Sequence, residues 1–146
     1  MISLDDLVLV SFYFAKDNPL SIDYIEKALY LILKALHMYK PSDYILTDKG
    51  AWNWNLVLRI HMLESGGFIN NVKNRYALTE KGFRLAQSII NGMSSREKEI
   101  IEELIKQIIQ LKPEEILTIG NTFAKEEQQQ TRELKTNTQG NHRHSL

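Results

Sequence analysis

The sequence predicts a mainly α-helical fold with one small β-hairpin. Three observations carry that prediction. Apolar residues recur at helical spacing in five separate segments. The stretch "GGFINNVKNRYALTEKG" (66–82) breaks that rhythm, with two short arms rich in β-branched and aromatic residues around a polar tip. Helix-capping residues stand at the start of most helical segments.

Ser3 precedes Leu4-Asp5-Asp6, a cap followed by acids that suit the positive end of a helix running to about Lys16. Asn18-Pro19 ends it. Ser21 caps a second helix whose apolar positions are Ile22, Ile25, Leu29, Ile32, Leu33 and Leu36. Around Pro41 the pattern lapses into a connection, "PSDYILTDKG", with a short extended piece at Tyr44-Ile45-Leu46. A third helix is expected over roughly Ala51 to Glu64, stopped by Ser65-Gly66-Gly67.

The hairpin arms are Phe68–Val72 and Tyr76–Thr79, with Asn74 suited to a left-handed turn position. Thr79 caps the fourth helix, and Ser94-Ser95-Arg96-Glu97 is a capping box opening the fifth. Ile100, Ile101, Leu104, Ile105, Ile108 and Ile109 form a continuous apolar stripe along that helix. Pro113 starts a short sixth helix. From about residue 125 the chain is polar and lacks the apolar residues needed to offset its ordering entropy, so a disordered tail is expected. The expected organisation is 1–92 as the main domain, 93–124 as C-terminal helices packed on it or forming a dimer interface, and 125–146 as tail.

At 146 residues, 43% hydrophobic and 25% charged, the chain has the size and composition of one globular domain. The absence of cysteine excludes disulfide scaffolds, thiolate metal sites and thiol catalysis. The first apolar run is too short for a membrane span and lacks the basic start of a signal peptide, so a cytoplasmic protein with no membrane role is expected. A net charge of zero hides a gradient. Residues 1–33 carry two basic and five acidic side chains, 34–95 eight and four, and 96–146 eight and nine. The hairpin lies in the positive third, which points to an anionic partner.

The passage "MLESGGFINNVKNRYALTEKGFRLAQSI" resembles one found across prokaryotic, particularly archaeal, winged helix-turn-helix proteins. In these the third helix ends in glycine, an apolar strand follows, and a "Y-x-L-T-x-K-G" strand leads to the next helix, here Tyr76 to Gly82. A broader likeness to phage-associated, antitoxin-like winged-helix proteins runs through "SFYFAKDNPLSIDYIEKALYLI" and "DYILTDKGAWNWNLVLRIHMLESGGFI", with Ala51 standing where that group often has proline. The resemblance implies a winged helix with a C-terminal helical extension. It also implies non-catalytic binding of double-stranded DNA, in transcription regulation, by a homodimer joined through the first or fifth helix.

On that reading the hairpin, or wing, offers Asn71, Lys73, Asn74 and Arg75 to DNA, and the third helix offers Asn53, Trp54, Asn55 and Arg59. Lys49, Lys81 and Arg84 would add phosphate contacts. The third helix is nevertheless apolar almost all round. Trp52, Leu56, Ile60 and Leu63 should point inward, while Trp54 and Leu58 would pack under the fifth helix or in a dimer seam with Ile101, Ile105 and Ile108. The alternative is therefore a protein-interaction module, antitoxin-like or a complex-assembly subunit, that binds no DNA.

Enzymatic motifs are missing: there is no P-loop, no G-x-G-x-x-G and no serine in a nucleophile-elbow context. His61 and Glu64 make only two metal ligands, His142 and His144 fall in the tail, and His37 reads as a partly buried packing residue. Neither a metal nor a cofactor is expected, and an enzyme is not.

Overall fold

The computed structural model describes residues 2–15, 20–40, 44–47, 50–122, 125–126 and 129. Helix α1 (Leu4–Ala15) lies at the centre, with Leu7 to Phe12, Phe14 and Ala15 all buried. Helices α4 (Glu80–Asn91) and α5 (Ser95–Ile109) pack against it. Its one buried hydroxyl, Ser11 Oγ, donates to the Leu7 carbonyl at 2.7 Å, so the helix satisfies its own interior polar group.

Helix α2 (Ile22–Ala35) begins as expected: the Ser21 side chain accepts from the Tyr24 amide. Every residue from Ile25 to Leu33 is buried, including Glu26 and Lys27. At its far end His37 is exposed and left-handed (φ 58°), while the Met38 amide reaches back to the Leu33 carbonyl at 2.8 Å. His37 is thus the residue that reverses the chain after the helix, not a packing residue.

The expected hairpin is present. Strands β4 (Ile69–Val72) and β5 (Arg75–Leu78) pair antiparallel with Val72 opposite Arg75. The turn is therefore Lys73-Asn74, both with positive φ (53° and 64°), the primed type whose twist suits a two-residue hairpin. The strand β1 (Leu20–Ser21) adds to the other side of β5, giving a three-stranded sheet in the order β1-β5-β4. That pairing ties the start of α2 to the hairpin. A mainly helical chain with a small three-stranded antiparallel sheet is compatible with a winged helix.

A second hairpin is a departure from the sequence reading. Strands β2 (Ile45–Thr47) and β3 (Gly50–Trp52) pair with Ile45 opposite Trp52. The third helix, α3 (Trp54–Ser65), consequently starts three residues later than expected, because Ala51 and Trp52 belong to β3 and Asn53 is the cap. Trp52 is half-buried on a strand, while Leu56 and Ile60 are the inward-facing helical residues, with Leu63 half-buried.

Helix α5 packs on α1 and α2 with the inner part of its isoleucine stripe, while Ile100 at its start is 49% exposed. Ile101, Ile105 and Ile108 are 3%, 0% and 8% exposed, so they are core residues and not a surface for a second copy. Ser94 caps α5 by accepting from the Glu97 amide. The Tyr24 hydroxyl, 2.8 Å from the Leu111 carbonyl oxygen, fastens the far end of α5 to α2. A further helix over 113–122, α6, places Ile116 in the core. Almost all of the polar tail, His142 and His144 included, lies outside the described residues. Among the described residues no helix is long and apolar enough to cross a membrane.

Gly82 holds the hairpin against α4. A Cβ at this position would collide with the Phe68 carbonyl oxygen, whereas one at Gly92 meets nothing closer than 3.5 Å. Gly82→Ala is expected to destabilise the fold by about 2–3 kcal/mol through overpacking, and Gly92→Ala to leave it within about 0.5 kcal/mol. Thermal unfolding followed by circular dichroism checks both; equal melting temperatures for the two variants would contradict the close approach.

Candidate docking face on the third helix

The start of α3 is fixed from inside the protein. Glu26 is fully buried, and its Oε1 accepts from the Asn53 amide at 2.7 Å. Its Oε2 meets Lys27 Nζ at 3.2 Å. Asn53 in turn is 2% exposed, with its Oδ1 accepting from the Leu56 amide at 3.1 Å. Asn53 therefore caps the helix and offers no side chain to a base edge, which removes it from the expected DNA-contacting set. Burial pushes the Glu26 carboxyl above its ordinary pKa, with the Lys27 ammonium and the Asn53 amide opposing the shift.

From this anchor a line of contacts leads outward. Lys27 Nζ stands 5.7 Å from the Trp52 ring centroid, and the Trp52 and Trp54 rings meet edge to face at 5.6 Å. Trp54 then opens to solvent. It is 64% exposed, Leu58 58% and Met62 64%. These positions are spaced by four, so they lie in one stripe along α3. The expectation that Trp54 and Leu58 would be covered by α5 is overturned: α5 is engaged with α1 and α2 and leaves this face open. Ile45, 54% exposed and cross-strand from Trp52, extends the apolar surface onto β2.

The expected DNA-contacting residues are divided by the structure. Asn55 is exposed beside the stripe. Arg59 points elsewhere, its Nη1 bonded to Asp5 Oδ1 at 2.7 Å, which links α3 to the start of α1. On the hairpin, Asn71, Lys73, Asn74 and Arg75 are all exposed. The Asn71 amide lies 3.5 Å from the Tyr76 hydroxyl, and among the described residues no ion pair engages Lys73 or Arg75.

Lys81 donates to the Gly66 carbonyl at 2.9 Å and lies over the Phe68 ring at 4.4 Å, closing the C-terminus of α3. Arg84 is paired with Glu80 at 2.5 Å on the exposed face of α4. Lys49 lies outside the described residues. Among the described residues of the expected cationic set, Lys73 and Arg75 at the hairpin tip are the ones that no ion pair or side-chain hydrogen bond engages.

Sequence reasoning identified Trp54 and Leu58 but not their exposure, and it read Met62 only as flanking the edge of that face. The i, i+4, i+8 spacing was the signal for Met62. Glu26 was missed because one acid in an amphipathic helix looks like a solvated residue.

Glu26→Leu leaves the Asn53 amide and the Lys27 ammonium without their buried acceptor, and is expected to cost about 3 kcal/mol. Glu26→Gln keeps an acceptor for Asn53 and isolates the effect of the proton. Because the folded-state pKa is raised, the proton on Glu26 stabilises the fold fully below the ordinary carboxylate value. That contribution disappears as pH climbs through the raised one. Denaturant titrations from mildly acidic to neutral pH should show the wild type losing stability relative to Glu26→Gln; parallel curves would contradict it. Compared with known proteins, the chain matches no family model and none of the curated proteins.

Proposed function

We propose that this chain is a non-catalytic, winged-helix protein-interaction module that docks a protein surface through α3. The observation that carries this reading is the open stripe of Trp54, Leu58 and Met62. Contiguous apolar surface of this kind on a small protein marks an interaction site. Trp is also the residue type most enriched among those that dominate binding energy. A helix reading a major groove needs polar and cationic side chains on its outer face. Here Asn53 caps the helix, Arg59 is held by Asp5, and apolar side chains fill the face.

The resemblance to antitoxin-like winged-helix proteins agrees with an interaction module that binds no DNA. The line from Glu26 through Trp52 to Trp54 supplies preorganisation. An indole seated on a packed partner loses less freedom on binding than a loose one.

One observation favours DNA as a second reading. Lys73 occupies a left-handed position (φ 53°) that asparagine or glycine would hold with less strain. A lysine kept there at a cost of about 1 kcal/mol, beside Arg75 and in no ion pair among the described residues, suits contact with phosphates. Such contact would position a duplex without reading its sequence.

Capture from a native lysate with the full chain as bait separates the two readings. Trp54→Ala is expected to weaken the captured protein's binding roughly 30-fold, about 2 kcal/mol, with stability changed by no more than about 0.5 kcal/mol. A partner retained by Trp54→Ala would overturn the docking reading. In parallel, a Lys73→Ala/Arg75→Ala variant should lose any salt-dependent shift of duplex DNA; duplex binding indifferent to salt and to both substitutions would remove the second reading.

A further inference from the structure

Cysteine is absent, so four methionines carry all the sulfur in this chain. They differ in exposure. Met38 and Met93 are partly buried and packed against the core, and Met1 lies outside the described residues. Met62 is 64% exposed. It stands four residues after Leu58 and eight after Trp54, so its thioether forms the C-terminal part of the apolar stripe on α3.

Exposure decides which thioether an oxidant dissolved in water reaches first, and with no thiol present the methionines are the softest targets. A hydroperoxide supplies the oxygen. The Met62 sulfur attacks one peroxide oxygen, and the O–O bond breaks as the sulfur–oxygen bond forms. The proton on the attacked oxygen passes to the other, which leaves as water or an alcohol. Sulfur gives up two electrons and the peroxide takes them.

The product changes the face and spares the core. A helical side chain leans back over the preceding turn, which places the sulfoxide oxygen beside Leu58, a side chain with no donor. The guanidinium in that turn, Arg59, is already held by Asp5. A protein surface that fits Trp54, Leu58 and Met62 would have to bury a strong acceptor in apolar surroundings, which weakens docking. The inward residues Leu56 and Ile60 are untouched, whereas oxidation at Met38 or Met93 would put oxygen against the core. The exposed position also leaves the sulfoxide open to reductases, which remove the oxygen as water while two thiols become a disulfide. Those thiols come from outside this chain. We infer that Met62 is a reversible oxidation site for hydroperoxides, and that its sulfoxide closes the α3 face while the fold stays intact. The closing of the face rests on the docking function proposed above.

Hydrogen peroxide, added in graded doses to the purified full chain and followed by peptide mass mapping, should convert Met62 at doses that leave Met38 and Met93 reduced. The thermal melt should not move. Retention on a phenyl matrix should fall, and the protein that Trp54→Ala releases should bind about tenfold more weakly. Methionine sulfoxide reductases with a dithiol should restore both. In Met62→Leu, whatever its starting values, the same dose should change neither.

Met62 oxidised no sooner than Met38 or Met93 would overturn the inference. So would a melt that falls in step with its oxidation, or a Met62→Leu chain as sensitive as the wild type. Complete oxidation of Met62 with retention and capture unchanged would overturn the switch and leave the docking function standing. A reduced chain that captures no protein in a Trp54-dependent way would overturn the docking function and the switch with it, whatever the mass map shows.

Discussion

A buried carboxylate decides where the third helix begins. Glu26 sits on α2 within a run of wholly buried residues, where an unpaired charge would be intolerable, and its two oxygens are taken by the Asn53 amide and the Lys27 ammonium. The amide bond crosses from α2 to the cap of α3, so it sets the position of that helix against the core. Asn53 then turns its own side chain to the Leu56 amide and the helix propagates. Lys27 does double duty, pairing with Glu26 and standing beside the Trp52 ring, which in turn supports Trp54. The buried pair is no large source of stability in itself, since taking both groups out of water offsets most of their attraction. Its consequence is positional: it holds an exposed tryptophan in place.

Two apolar stripes on two helices meet opposite fates. On α5 Ile101, Ile105 and Ile108 close over the core that α1 and α2 build while Ile100 stays exposed, and Tyr24 secures the far end by reaching the carbonyl of Leu111. On α3 the inward residues Leu56 and Ile60 complete the core, while Trp54, Leu58 and Met62 remain in water. Because α5 is committed elsewhere, nothing among the described residues covers the outer side of α3. The functional reading follows from that geometric fact. The hairpin carries a separate feature, a lysine at a left-handed turn position, and the two need not serve the same partner.

A few residues at helix ends place these surfaces. Gly82 allows the hairpin to approach α4 as closely as backbone contact permits, and Lys81 closes the end of α3 by donating to Gly66. The hairpin is thereby anchored at its base by α3 and α4 and on its side by β1, leaving only the tip projecting. His37 performs a comparable reversal after α2. These are local backbone solutions, and Lys81 and His37 both stay exposed.

The sequence by itself determined the helices, the caps at Ser21, Thr79 and Ser94, and the β4–β5 hairpin. Ser21, Thr79 and Ser94 announce helix starts because a hydroxyl before an apolar period satisfies free amides wherever the helix later packs. The hairpin is legible for the same reason, since its turn chemistry is local. The β2–β3 pair was not, because three-residue strands carry too little pattern, and their pairing moved the start of α3 from Ala51 to Trp54. Only the tertiary structure decided which apolar stripe is core and which is surface. Helical periodicity records that a face is apolar, but not whether another element arrives to cover it. That depends on where α5 lies, and α5 lies on α1 and α2.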